Sequence, residues 1–89
     1  MIVMICETVS EFIKNGNIPE GAKKEFIIQG FGRADAVDFN NKIVYELKPY
    51  NAHSIRRGWK QLDRYAEGLA ANFGGKSSDW SKVLMFYYK

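Results

Sequence analysis

The chain has too few cysteines and histidines for several common kinds of site. It holds one cysteine and one histidine among 89 residues. A disulfide, a structural zinc site and an active site built on paired histidines are therefore all excluded within one chain. Carboxylates and basic side chains remain as the candidates for chemistry.

The chain also lacks repeats, low-complexity stretches and any sign of a second domain, so residues 1–89 are expected to form one small domain. No signal peptide or transmembrane segment is expected, because the apolar start at residues 1–6 is far too short for either. We expect a cytoplasmic site of action and no membrane association. A hydrophobic content of 46% argues against disorder. Because a chain of this length buries only a modest core, a homodimer or a partner protein could add stability.

Residues 34–47 have the pattern of a β-hairpin. Residues 34–39 and 42–47 are rich in β-branched and aromatic types, and the two asparagines at 40 and 41 suit a two-residue turn. Asparagine tolerates the positive φ that such turns need. The pattern predicts two antiparallel strands joined by this turn.

The predicted turn sets the register of the hairpin. Counting outward from the two asparagines places Val37 opposite Val44 and Asp35 opposite Glu46. Side chains alternate along a strand, so Lys48 shares a face with Glu46. Directly opposed side chains have Cβ atoms about 5 Å apart, which lets two carboxylates hold one divalent cation. Without a cation, the two like charges would destabilise the hairpin.

These groups suit metal-assisted phosphodiester chemistry. Mg²⁺ prefers oxygen ligands and usually takes one or two carboxylates together with substrate phosphate. Asp35 and Glu46 could hold the metal, while Lys48 orients the attacking water or offsets charge in the transition state. Asp38 is a competing first acid, but the two-residue turn places it on the opposite face. The alternative is a solvated strand face, on which glutamate and lysine also alternate.

A helix is predicted after the hairpin. Pro49 ends the second strand, Ser54 is a suitable N-cap, and the helix is expected to run to about residue 70. At about 100° per residue, a set of apolar residues shares the face that should pack on the sheet. They are Ile55, Trp59, Leu62, Ala66 and Leu69.

Two further stripes run along this helix. Gln61 and Tyr65 lie one turn apart on the border between the apolar and solvent faces, from which they could reach the two acids. A basic stripe would attract a polyanion that the carboxylates alone would repel. The plainer explanations are polar residues at a helix edge and a solvated helix face. The basic residues of the helix are Arg56, Arg57, Lys60 and Arg64.

The segment from residue 32 to residue 65 resembles the PD-(D/E)XK nuclease superfamily, whose members share the restriction endonuclease fold. Residues 32–35 are similar to the Gly-x-x-Asp form of its first motif, with alanine in place of the name-giving proline. Residues 46–48, Glu-Leu-Lys, match its second motif. Gln61 and Tyr65 are similar to the Gln-x-x-x-Tyr motif of the RecB-like branch. The whole segment also looks like the restriction-fold domains of bacterial polymorphic toxins.

The resemblance implies an α/β fold with an αβββαβ core, in which a mixed sheet is flanked by two helices. It implies that Asp35 and Glu46 bind the metal and that Lys48 is the catalytic lysine. Gln61 and Tyr65 would support the active site. The missing proline carries no ligand, so its absence leaves this chemistry intact.

The predicted order of elements agrees with this core. A first helix is predicted over residues 4–15, a short strand over residues 25–29 and a last strand over residues 82–88. Glu7 and Glu11 on the first helix are the acids there that could join a metal site, but both point away from its apolar face.

Two classes of function follow. The first is an Mg²⁺- or Mn²⁺-dependent nuclease, with DNA favoured over RNA, acting as a bacterial toxin that would require an immunity protein. Its alternatives are a tRNA-cleaving toxin and a catalytically silent module of the same fold that binds nucleic acid or protein. The net charge of +3 is uneven, since residues 51–65 carry three arginines and one lysine against one aspartate. This predicts nucleic-acid binding that weakens as salt rises.

Overall fold

The computed structural model describes residues 2–3, 13 and 16–87. The predicted first helix lies outside these ranges apart from Ile13, and so do Glu7 and Glu11. From the first long strand onward, the predicted order of strands and helix is confirmed. The elements are β1 (Ile2–Val3), β2 (Lys23–Ile28), β3 (Gly32–Asp38), β4 (Ile43–Pro49), helix α1 (Ala52–Phe73), a 3-10 helix (Ser77–Asp79) and β5 (Ser81–Tyr87).

The strands form one mixed sheet in the order β1-β5-β4-β3-β2, as expected for the α/β fold. β2, β3 and β4 are an antiparallel meander, whereas β4 and β5 run parallel because α1 carries the chain back across the sheet. β1 pairs in parallel with the outer edge of β5. The sequence does not predict β1, since two residues are too few to show a pattern. No helix in the described ranges is long and apolar enough to span a bilayer.

The register of the hairpin formed by β3 and β4 is the predicted one, with Val37 opposite Val44. The turn differs from the prediction, because the strands stop earlier and residues 39–42 form the loop. The positive φ of 54° falls on Lys42 rather than on an asparagine. The longer loop keeps the same pairing because it extends the predicted turn by one residue on each side.

Helix α1 begins earlier than predicted because Asn51, not Ser54, is its N-cap. The Asn51 side chain accepts a hydrogen bond from the Ser54 backbone N–H at 2.8 Å. Asparagine is at least as good an N-cap as serine, and it lies three residues earlier. The helix runs to Phe73, past the predicted end, and Gly74 caps it with a φ of 92°.

The predicted apolar face of α1 packs on the sheet. Leu62, Ala66 and Leu69 are buried, and Ile55 and Trp59 are partly buried against the same cluster. A second cluster lies on the other face of the sheet, where Ile13 packs against it. The residues buried between α1 and its face of the sheet include Ile28, Ala34, Val37, Val44, Tyr65, Trp80, Leu84 and Phe86.

Two glycines allow α1 to lie close to the sheet. A Cβ atom at Gly58 would lie 2.5 Å from Leu84 Cδ1, and one at Gly68 would lie 2.6 Å from Ile28 Cγ2 and 2.7 Å from Phe31 Cβ. These separations are far below ordinary carbon contacts of about 3.5 Å or more. The helix could not keep this position with larger residues at either place.

Replacing Gly68 with alanine is expected to lower the free energy of unfolding by about 1–3 kcal/mol, because the added methyl group overpacks the interface. This loss outweighs the higher helix propensity of alanine, which is worth about 1 kcal/mol. Thermal unfolding measures the change in stability. The control is Glu67→Ala, which lies on the exposed side of the same helical turn. A Gly68→Ala protein as stable as the unaltered one would show that the helix can move away without loss.

Candidate active site

The sheet divides where Asp35 and Glu46 come opposite each other. β3 pairs with β4 only over residues 36–38, although its pairing with β2 begins at residue 32. β4 meanwhile stays paired with β5 to its last residue. Residues 32–34 and residues 47–49 are therefore the two walls of a fork, and both carboxylates lie at its apex.

At the apex of the fork, the Asp35 side chain replaces a backbone carbonyl as the hydrogen-bond partner of β4. Its Oδ2 atom accepts a hydrogen bond of 2.6 Å from the Leu47 backbone N–H. The pairing of β2 with β3 also skips Glu25 and Asp35, and Glu25 has a φ of 49°. Because of this interruption, Ala34 and Val37 both pack beneath the helix, which strict alternation would forbid.

Glu46 is a buried carboxylate with a strongly altered proton affinity. It is 5% exposed. Burial, and then the neighbouring charge of Asp35, raises the pKa of Glu46 to about 7, while Lys48 opposes the shift. Near neutral pH the metal-free site therefore holds a proton for a substantial fraction of the time, whereas a divalent cation would favour the ionised form of both carboxylates.

Lys48 lies beside Glu46, which confirms that alternation along β4 places the two on one face. Its Nζ atom is 3.2 Å from Glu46 Oε2, and the side chain is 17% exposed. The Lys48 Cγ atom lies 3.2 Å from the position of a Cβ at Gly58, so the stem runs beneath the helix. The ammonium group is thus held in place by packing as well as by charge.

Two buried side-chain oxygens among the described residues have no hydrogen-bond partner, Glu46 Oε1 at the apex and Gln61 Oε1 on α1. A buried acceptor without a donor is costly, so native structures usually supply a partner for it. Both atoms are hard oxygen acceptors, which suit Mg²⁺ or Mn²⁺. Within residues 16–87 no three acidic, histidine or cysteine side chains cluster, so the pair of carboxylates is the available donor set. One or two carboxylates are the usual number for Mg²⁺.

Tyr65 lies between the helix and the start of β3. It is 6% exposed, and burial followed by the charges of Glu46 and Asp35 raises the pKa of Tyr65 to about 12. The phenol therefore stays protonated and can donate a hydrogen bond. A Cβ atom at Gly32 would lie 3.0 Å from Tyr65 Cε1, and Gly32 has a φ of +132°. Glycine is thus required at the first position of the Gly-x-x-Asp motif, because a side chain there would meet the Tyr65 ring and because other residues rarely adopt this φ.

The basic residues of α1 fall into two groups. Arg56, Arg57 and Lys60 are exposed, and the structure records no ion pair for them within residues 16–87. Arg64 instead donates from Nε to the Phe31 carbonyl at 2.9 Å, and its guanidinium lies 5.5 Å from the centre of the Phe31 ring. Arg64 therefore ties α1 to the turn between β2 and β3, a contact that the helical pattern alone could not reveal.

Asp38 is remote from this chemistry. It is 3% exposed, and its Oδ1 atom accepts hydrogen bonds from the backbone N–H groups of Asn40 and Asn41 at 3.0 and 3.2 Å. Its Oδ2 atom accepts from Asn41 Nδ2 at 2.8 Å. This carboxylate organises the loop after β3, so its role is structural.

Replacing Asp38 with asparagine is expected to lower the free energy of unfolding by about 1–3 kcal/mol, because charged hydrogen bonds to the loop are lost. The activity per folded molecule should change little. Thermal unfolding and a cleavage assay on the same preparation check the two parts. An Asp38→Asn protein that is stable but inactive would show that Asp38, and not Asp35, is the first acid.

The sequence patterns do not single out one charged residue that lies near the site. Arg33 lies on a wall of the fork, is exposed, and counters part of the rise in the pKa of Tyr65. The sequence feature that could have pointed to Arg33 is its position within the Gly-x-x-Asp motif, two residues before Asp35. A variable position inside a motif carries no fixed meaning until the surrounding strands are placed.

A surface cleft of about 380 Å³ lies away from the fork, between α1 and the 3-10 helix. Lys82 Nζ and Asp63 Oδ1 form an ion pair of 2.6 Å on its lining. None of the predicted site residues lines this cleft, so it does not add to the chemistry at the fork.

Comparison with known families agrees with the geometry. A family model described as restriction endonuclease fold toxin 9 matches residues 10–87. Comparisons with curated proteins and with solved structures give no significant match. The family match covers the fork, α1 and β5, and it confirms the resemblance to restriction-fold nucleases. The chain belongs to the restriction endonuclease fold toxin family.

Proposed function

We propose that this chain is a metal-dependent nuclease in which Asp35 and Glu46 hold Mg²⁺ or Mn²⁺. The observation that carries the proposal is the buried carboxylate pair at the apex of the fork. Burial and a like charge make this pair unfavourable unless a proton or a cation is present. The unpartnered Oε1 atom of Glu46 supports the same conclusion.

The bound metal would supply Lewis-acid activation of the phosphoryl group and of a water molecule. Asp35 is held at the apex by the hydrogen bond that its Oδ2 atom accepts from Leu47, beside the Glu46 carboxyl group. Lys48 lies where it can orient the attacking water or offset the charge that develops on the phosphate. Its placement beneath the helix restricts its motion and so favours a fixed geometry.

Gln61 and Tyr65 would act from the helix as supports of the site. The Gln61 side-chain oxygen is buried without a partner, so it can accept a hydrogen bond from a water molecule at the fork. Tyr65 keeps its proton far above neutral pH and can donate to an anionic oxygen. Both residues extend the site from the sheet to α1.

The substrate that we propose is DNA. Arg56, Arg57 and Lys60 are exposed near the start of α1, the same helix that covers Lys48. Their charge would bind the phosphate backbone, which carries no sequence information. We infer a toxin that acts in the cytoplasm of a target cell and is neutralised by an immunity protein, as the family suggests.

The proposal is tested by incubating purified protein with supercoiled plasmid, linear duplex DNA and tRNA. Each substrate is tested with Mg²⁺, with Mn²⁺ and with EDTA. Cleavage of DNA that requires the metal is expected. Cleavage of tRNA alone would overturn the choice of DNA, and cleavage in EDTA would overturn the metal. Binding without cleavage of any substrate would favour a catalytically silent module.

A further inference from the structure

One cation, Arg33, lies on the β3 wall of the fork. Arg33 is the second residue of β3, and this part of the strand is paired with β2 but not with β4. It is exposed, whereas Asp35, two residues later, is half-buried at the apex. Arg33 therefore stands at the open end of the wall that leads to the two carboxylates.

Contacts of the neighbouring residues bring this wall close to the helix. The Tyr65 ring lies against Gly32, with 3.0 Å between Cε1 and the position of a Cβ there. Arg33 follows Gly32 directly, and its positive charge counters part of the rise in the pKa of Tyr65. The contact between Gly32 and the Tyr65 ring therefore places the start of the β3 wall, with Arg33 on it, next to α1.

The two arginines differ in how far they are already engaged. Arg64 donates to the carbonyls of Phe31 and Gly30 and lies over the Phe31 ring. Arg33 has no ion pair among the described residues, where the two recorded pairs are Lys48 with Glu46 and Lys82 with Asp63. As far as the described residues go, its guanidinium therefore keeps its donors for a ligand.

The negative charge at the apex explains why a nucleic acid would need the Arg33 guanidinium. Asp35 and Glu46 carry two negative charges when ionised, and Lys48 offsets one of them. A phosphodiester entering the metal-free fork adds another negative charge, which the pair repels; a bound divalent cation would offset this at the apex, but the neighbouring phosphates of the strand would still need a cationic partner. A guanidinium offers parallel donors that match two phosphate oxygens, and this makes it well suited to phosphate binding.

We propose that Arg33 binds a backbone phosphate of the nucleic acid strand that enters the fork, next to the phosphate held at the apex. This inference rests on the proposed function, because it concerns the same site and its polyanionic substrate. Arg33 is then a binding and positioning residue, distinct from the basic group on α1. The strand would be contacted from the β3 wall by Arg33 and from the helix by Arg56, Arg57 and Lys60.

The first test is binding without turnover, measured by fluorescence anisotropy with labelled DNA in EDTA at about 50 and 200 mM salt. The Arg33→Gln protein is expected to bind more weakly, with a salt slope smaller by about one unit, because one phosphate contact is lost. Arg33→Lys should restore the slope. Lys23→Gln, at the exposed edge of β2, removes the same charge away from the fork and should leave both quantities unchanged.

The second test is steady-state cleavage, in which Arg33→Gln is expected to raise KM about tenfold and to change kcat much less. Equal thermal stability of Arg33→Gln and the unaltered protein would exclude a merely structural role. An unchanged salt slope and KM would overturn the inference while leaving the nuclease proposal standing. If the protein binds DNA but never cleaves it, a reduced slope for Arg33→Gln still supports the inference. Absence of any binding by the unaltered protein would overturn it.

Discussion

Replacing Lys48 with alanine is expected to lower kcat for DNA cleavage by about 100- to 1,000-fold, the usual effect of removing one preorganised charge from a reacting centre. The Lys48 ammonium is 3.2 Å from Glu46 and its stem packs beneath α1, so no other described lysine can take its place. Nucleic-acid binding should change little, because Lys48 lies at the apex and not on the exposed basic surface. A plasmid-nicking time course and an anisotropy titration measure the two quantities.

The pH dependence of the Lys48→Ala protein separates two roles of this lysine. Lys48 lowers the pKa of Glu46, so its removal should raise that pKa further. If Lys48 acted only through Glu46, activity would return as the pH rises and Glu46 ionises. We expect no such recovery, because the lysine also acts on water or phosphate. Lys23→Ala is the matched control, and undiminished cleavage by Lys48→Ala would contradict the mechanism.

Replacing Glu46 with glutamine is expected to abolish metal binding and cleavage while making the metal-free protein more stable at pH 8. In the folded chain the pKa of Glu46 is about 7, against an ordinary value of 4.5. The folded state therefore binds more protons between these values, and its stability falls as the pH rises through this window. Above it, ionised Glu46 destabilises the metal-free protein by on the order of 3 kcal/mol. Glutamine removes this effect because it cannot ionise.

Thermal unfolding of the metal-free protein at pH 5 and pH 8, with and without Mn²⁺, measures these effects. The unaltered protein should lose stability between the two pH values and regain it with Mn²⁺, by about 2.7 kcal/mol when the metal is at 100 times its Kd. The Glu46→Gln protein should show neither change, and exposed Glu67→Gln should behave as the unaltered protein does. A Mn²⁺ effect that survives in Glu46→Gln would mean that Glu46 is not a ligand.

Several parts of the fold follow from local patterns. The register of the hairpin depends on where the centre of the loop lies. A turn of two residues and a loop of four residues share the same centre, so Val37 opposes Val44 in both cases. The apolar period of α1 predicts that Leu62 and Leu69 are buried, because a helix repeats every 3.6 residues wherever it lies. The sequence predicts the ends of the helix less well than its buried face. Asn51 and Ser54 are both suitable N-caps, and the helix uses only Asn51.

At the candidate site, too, local patterns predict some features and leave others to the tertiary structure. The sequence by itself determined which residues could meet, because the hairpin register sets Asp35 across from Glu46 and alternation along β4 places Lys48 on the face of Glu46. It also determined that Gln61 and Tyr65 lie one turn apart on one side of the helix. These are properties of regular backbone geometry, and they hold without knowledge of the surroundings.

Only the tertiary structure decided how these groups behave. The separation of β3 from β4 turns Asp35 toward the Leu47 N–H, and burial under α1 raises the pKa of Glu46. The turn after β2 engages Arg64 and leaves Arg33 at the fork. Strand divergence, desolvation and contacts between distant segments depend on where whole elements pack. No local period in the sequence encodes them, although they decide how readily Glu46 gives up its proton and which arginine is available to bind phosphate.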